Sequence, residues 1–308
     1  MTQLVSEQTV PGPAAGIAAS AIDVPNRLGS ERVPVRVYEA VGAGGQANGA
    51  TAEPWATLVW AHGGSFMRGT LDWPEADWAA RRFAEAGLRV YSVDYILASR
   101  TVKAPAPAND VAAVLREVAS RHEGAMLVGG ASAGAHLAVA AALAQADLAA
   151  ELQNARRCPA ALALVYPTFH RVQRPAPEIA ALVGLLPEQR RFRADRIAEM
   201  YDFFLGEGAP GVEPVGELPT ERLAGLAPVV MVNAEADELR ASGEQFAEQL
   251  RAAGVPVTMR VQPGTVHGYL NRPEANTESR RAARATIDSL VKGLRAILED
   301  AAMAMEDW

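Results

Sequence analysis

A chain of 308 residues, 49 % hydrophobic and 21 % charged, has the composition of a folded globular protein and excludes a mainly disordered one. A formal net charge of -7 gives no clustered basic footprint, so nucleic acid is not an expected partner. The single cysteine, Cys158, excludes an intramolecular disulfide, and the start of the chain up to Pro11 has neither the basic cluster nor the apolar run of a secretory signal, so the cytoplasm is the expected compartment.

The length suits one domain of residues 1–308 carrying an insertion. Strands are expected at Val33 to Tyr38 and Ala56 to Ala61, with a Gly/Ala-rich surface loop from Val41 to Pro54 between them. A helix then runs over about Trp73 to Ala86, followed by a strand at Leu88 to Val93 and a helix over Asn109 to Arg121, which Asp110 is expected to start. The alternation continues with a strand at Ala125 to Val128, a helix over Ala133 to Ala146 and a strand at Ala160 to Tyr166. It resumes with strands at Val229 to Asn233 and Val255 to Val261 and helices over Ser242 to Ala253 and Thr277 to Leu298. Such alternation implies a mostly parallel sheet covered by helices on both faces. Apolar stretches are interrupted before the ~18 residues of a membrane span, so no span is expected.

Residues 169–219 break the pattern, with aromatic and charged residues, Phe192, Tyr201, Phe203 and Phe204 among them, but no convincing strand. This segment is expected to be a helical cap insertion, with the N-terminal segment 1–30 as a candidate second part of it.

The apolar strand ending in Val128 runs into Gly129-Gly-Ala-Ser-Ala-Gly134 and then an alanine-rich helix. This contains G-x-S-x-G, in which small residues let strand and helix crowd together while a strained turn presents the Ser132 hydroxyl. The spacing does not match the dinucleotide-binding G-x-G-x-x-G. About 70 residues earlier, another strand ends in His62-Gly63-Gly64-Ser65-Phe66.

With Ser92-Val-Asp-Tyr95, Asp237-Glu-Leu-Arg240 and Val266-His-Gly268, these motifs resemble the hormone-sensitive-lipase-like, bacterial acetyl-esterase branch of the α/β-hydrolase fold over about residues 55 to 295. The resemblance implies an oxyanion hole of backbone N–H groups drawn from Gly63, Gly64, Ser65 and Ala133. Ser65 stands where the family usually has a third glycine. His62 is expected to brace this loop.

A serine nucleophile needs a base and the base an orienting acid, which in α/β-hydrolases follow in the order Ser, Asp or Glu, His. His62 and His122 precede Ser132, His136 lies one turn past it on a receding helix, and His170 leads into the insertion. His267, in the loop Pro263 to Gly268 before the last helix, is therefore the expected base. Glu235, Asp237 and Glu238 compete as the acid; the resemblance selects Asp237, although the family often has a second acid where this chain has Ala241.

The implied activity is hydrolysis of short-to-medium acyl esters through an acyl-enzyme, with Phe66 and Trp73 as candidate pocket residues. No cofactor or metal is expected, since no His/Cys/Asp cluster has ligand spacing. The expected partner is a small-molecule ester, with a homodimer left open. An amidase using the same triad is the main rival, and a non-catalytic ligand-binding homologue a weaker one.

Overall fold

The computed structural model of the protein describes residues 8–9, 16–26, 31–41, 53–154, 158–207 and 212–306. Three strands open the chain, β1 (Gln8–Thr9), β2 (Ile17–Pro25) and β3 (Arg32–Ala40), followed by β4 (Ala56–Ala61), α1 (Asp77–Glu85), β5 (Leu88–Val93) and α2 (Ala106–Arg121). Then come β6 (Met126–Ala131), α3 (Ala133–Glu151), β7 (Ala161–Val165), and the helices α4 (Pro177–Gly184), α5 (Ala194–Leu205) and α6 (Thr220–Leu223). The chain closes with β8 (Val229–Ala236), α7 (Arg240–Ala252), β9 (Val257–Val266) and α8 (Thr277–Glu306).

Among the described residues nine strands form one sheet in the order β1-β2-β3-β5-β4-β6-β7-β8-β9. From β5 to β9 the neighbours are parallel, and β1, β2 and β3 add an antiparallel edge. Every expected strand and helix is present. Residues 16–26 of the N-terminal segment, however, belong to the sheet and not to a cap: β2 pairs with β3 along its whole length, from Ile17 opposite Ala40 to Pro25 opposite Arg32. Its alternation is muted by Ala18, Ala19, Ser20 and Ala21, so it carried little strand signal. Residues 1–7, 10–15 and 27–30 of that segment, and 42–52 of the expected surface loop, lie outside the described residues.

Period-two alternation divides each central strand between two cores. On β4, Val59 and Ala61 belong to the core beneath α2 and α3, while Leu58 and Trp60 belong to the one beneath α1 and α8. Both faces are therefore apolar, as a parallel sheet requires. Asp110 does not start α2, which begins four residues earlier; its buried carboxylate accepts from Asn26 Nδ2 at 2.6 Å and from Ile96 N at 2.7 Å, fastening the strand edge to the loop after β5. By length and composition alone α3 is apolar enough to cross a membrane, and about two thirds of that stretch is buried here inside the fold, as in a core helix.

The start of α3 crosses the end of β4 very closely. A Cβ at Gly134 would lie 2.1 Å from the Ala61 carbonyl oxygen and 2.3 Å from that of His62. Both are backbone atoms that cannot step aside, so Gly134→Ala should cost about 1–3 kcal/mol or more. Calorimetry should show a melting midpoint lower by several degrees, at roughly 2–4 °C per kcal/mol for a chain of this size. A wild-type melt would contradict this account of the crossing.

Candidate active site

Four loops meet at the C-terminal ends of the parallel strands β4, β6, β8 and β9, where open α/β sheets place their ligands. After β6, Ser132 sits at φ 53°, ψ -119°, a left-handed conformation that L-residues avoid. Its N–H donates to Val165 O at 2.9 Å, tying the turn to β7. The hydroxyl, in a residue only 7 % exposed, lies 2.9 Å from His267 Nε2.

A register shift explains how His267 meets its acid. β8 and β9 pair regularly up to Ala234 opposite Gln262, and next at Ala236 opposite Val266. The extra residues bulge out of β9 around Pro263 and Gly264, a device that re-aims the residues beyond it. Asp237 and His267, the residues immediately following, thereby come side by side, with His267 Nδ1 2.7 Å from Asp237 Oδ2. The other Asp237 oxygen accepts from Leu239 N at 3.0 Å.

Both rival acids are engaged elsewhere. Glu235 Oε2 accepts from Gly264 N at 2.8 Å, closing the bulge itself. Glu238 Oε2 accepts from Phe192 N at 3.0 Å, and burial pushes its carboxyl up despite that bond. Burial presses the His267 imidazole down most strongly, but the charge and hydrogen bond of Asp237, helped by Glu75 and Glu238, outweigh it and hold its pKa above the ordinary value.

The glycine loop after β4 runs against the serine: a Cβ at Gly63 would lie 3.0 Å from Ser132 Cβ. Gly64, at φ 114°, turns so tightly that a Cβ there would lie 1.9 Å from Arg68 O, which only glycine permits. Ser65 and Phe66 continue in left-handed conformations, φ 56° and 64°, at a cost that glycine at position 65 would avoid. Among the described residues no acceptor takes the N–H of Gly64, Ser65 or Ala133. Gly63 is a correction to the expected donor set, because its N–H already donates to Glu75 Oε2 at 2.5 Å.

Glu75 went unrecognised in the sequence. It is 1 % exposed, and its second oxygen accepts from Tyr166 Oη at 2.5 Å. Trp60 Nε1 donates to its carbonyl at 2.9 Å, and its N–H donates to Asn271 Oδ1 at 3.3 Å. The available signal was a carboxylate set among Trp73, Pro74 and Ala76. The imidazole of His62 stacks on Tyr95 at 4.5 Å with Nδ1 2.7 Å from Gly63 O, in keeping with a brace, and burial lowers its pKa. His136 is buried between Phe66 and Tyr201, and burial lowers it to about 3, so it stays neutral.

Within residues 169–219, the described stretch from Phe192 to Phe204 packs over the site. The Phe192 ring is 4.5 Å from that of His267, and Phe204 of α5 stacks on Phe66 at 3.9 Å. Lys103 Nζ donates to Phe203 O at 2.6 Å, holding the end of α5. Beneath lies a cleft of about 1070 Å³ whose walls include Ser65, Met67, Phe192, Met200, Phe203 and His267. Neither expected pocket residue lines it. Phe66 is fully buried as the clamp between glycine loop and cap, and Trp73 packs 6.4 Å from His62.

Glu75→Gln should leave Gly63 N–H or the Tyr166 hydroxyl facing an amide NH₂, a buried mismatch worth about 1–3 kcal/mol. Urea unfolding should register that loss, and an unchanged midpoint would remove Glu75 from the role of brace.

A family model described as alpha/beta hydrolase fold matches residues 58–271. The carboxylic ester hydrolase LipN of Mycobacterium tuberculosis is 30 % identical over 271 residues, covering 86 % of this chain and 67 % of that one. The carboxylesterase NlhH of the same organism is 33 % identical over 249 residues, covering 78 % and 72 %. Among solved structures, a hyperthermophilic esterase from the archaeon Pyrobaculum calidifontis superposes with a TM-score of 0.71 at 26 % identity, over 90 % of this chain and 86 % of its own. The motifs, the sheet order and these relatives agree, and the chain belongs to the α/β-hydrolase fold family, in its hormone-sensitive-lipase-like branch.

Proposed function

We propose that this protein is a serine carboxylesterase acting on short-to-medium acyl esters through an acyl-enzyme intermediate. The observation that carries the reading is the unbroken chain from Ser132 Oγ to His267 Nε2 at 2.9 Å and from His267 Nδ1 to Asp237 Oδ2 at 2.7 Å. In this mechanism His267 takes the Ser132 proton as the oxygen attacks the ester carbonyl, then delivers it to the leaving alcohol. Water, activated by the same imidazole, releases the acid. Asp237 holds the tautomer with the proton on Nδ1 and stabilises the imidazolium that forms. The developing oxyanion is met by the N–H groups of Gly64, Ser65 and Ala133, each contributing ~10²-fold or more to the rate. The apolar walls Met67, Phe192, Met200 and Phe203 support an acyl chain of modest length. The names of LipN and NlhH support ester over amide chemistry.

Hydrolysis of 4-nitrophenyl acetate tests the assignment. Ser132→Ala should abolish it, and Asp237→Asn should lower kcat by about 10³- to 10⁴-fold through the wrong tautomer. Glu235→Gln and Glu238→Gln should lose far less. The base works as neutral imidazole, and Asp237 raises its pKa, so wild-type activity should rise with pH through a midpoint above about 6.5. That midpoint should fall in Asp237→Asn. A glutamate variant that loses activity on the larger scale while Asp237→Asn keeps it would reassign the acid.

A further inference from the structure

The cleft carries an excess of positive charge on a chain whose net charge is -7. Five arginines, Arg68, Arg190, Arg191, Arg196 and Arg272, line it against two glutamates, Glu199 and Glu278. Arg196 is paired with Glu199 at 2.8 Å. Arg191 is held by the carbonyls of Leu186 and Gly184, both at 2.7 Å, which fix its guanidinium without cancelling its charge. Among the described residues Arg68, Arg190 and Arg272 have no side-chain partner. The carboxylates of the groove beside Arg272 are taken: Asp72 by Arg36 and Asp77 by Arg81, each at 2.8 Å, and Glu274 by Arg280.

The three unpartnered arginines come from three separate elements. Arg68 belongs to the glycine loop, where its N–H donates to Gly64 O at 3.0 Å. Arg190 ends the short 3-10 turn Glu188–Arg190 of the cap. Arg272 follows the turn after His267, its N–H donating to Tyr269 O at 3.0 Å. Their backbones are pinned around one cleft, and their guanidinium forks suit a carboxylate or a phosphate. A positive mouth also concentrates anionic substrate against the repulsion of a negatively charged protein.

We infer that the preferred substrates are esters bearing an anionic group, carboxylate or phosphate, on the part that extends outward from the scissile bond, where Arg68, Arg190 and Arg272 receive it. The inference rests on the esterase reading above and specifies the substrate of that site. Three aryl acetates with the ester in the same place test it: 4-acetoxybenzoate, 4-acetoxyphenyl phosphate and the neutral 4-acetoxybenzamide.

At least one anion should exceed the amide by about tenfold or more in kcat/KM, the effect expected of one charge-assisted hydrogen-bonded contact. The better anion identifies which group the site takes. The advantage should shrink at about 0.5 M NaCl through screening and fall further in Arg190→Gln and Arg272→Gln. Turnover of the amide equal to or faster than both anions would overturn the inference and leave the esterase reading standing. So would an anion preference indifferent to salt and to both substitutions. If none of the three were hydrolysed, the esterase reading and this inference would fall together.

Discussion

Ser132 holds a backbone conformation costing about 1–3 kcal/mol, and it persists because the surrounding structure leaves no alternative. Its N–H is bonded to β7, and the helix that follows is pressed so closely on the end of β4 that position 134 has no room for a methyl group. The same crossing brings the glycine loop after β4 against the Ser132 side chain. One packing constraint thus sets the hydroxyl beside His267 Nε2 and brings the backbone N–H groups of the glycine loop and of Ala133 into its neighbourhood. The site depends on small residues at Gly63, Gly64, Gly130, Ala133 and Gly134 as much as on the three side chains of the hydrogen-bonded chain.

Two further carboxylates organise the surroundings without belonging to that chain. Glu75 joins the glycine loop, through Gly63, to Tyr166 at the end of β7, whose ring packs 5.0 Å from that of His267. Glu238, next to Asp237, reaches outward and holds Phe192, whose ring covers His267 from the cap side. Both sides of the imidazole are therefore positioned by acids hydrogen-bonded to backbone or phenol, Glu75 buried and Glu238 half-buried. In the proposed mechanism this second layer keeps the base aligned while the cap excludes water.

The sheet and the order of its elements were legible because central strands buried on both faces leave short continuous apolar runs, and the crowded turn at Ser132 leaves an equally plain run of small residues. His267 could be found by elimination among five histidines. Asp237 could not be separated from Glu235 and Glu238 by position alone, since the bulge in β9 that brings His267 beside it appears only when two distant strands pair. Gly63 was misread for a related reason: what removes it from the oxyanion donors is a hydrogen bond to a carboxylate twelve residues away. Phe66 and Trp73 looked like pocket residues because aromatic rings beside a motif look alike whether they line a cleft or clamp a loop. β2 escaped notice because the small residues Ala18, Ala19, Ser20 and Ala21 in its middle interrupt its alternation and lower its β-propensity.

The central claim is that Ser132 is the nucleophile and that Gly64, Ser65 and Ala133 receive the oxyanion. A crystal structure of the protein inhibited by diethyl 4-nitrophenyl phosphate tests both at once, because the phosphoryl adduct mimics the tetrahedral intermediate. It should show phosphorus bonded to Ser132 Oγ, and a phosphoryl oxygen about 3 Å from the N–H of Ala133 and of Gly64 or Ser65. The Gly63 N–H should remain on Glu75. Phosphorus on another side chain, or its oxygen bound to Gly63 with Glu75 displaced, would contradict the account.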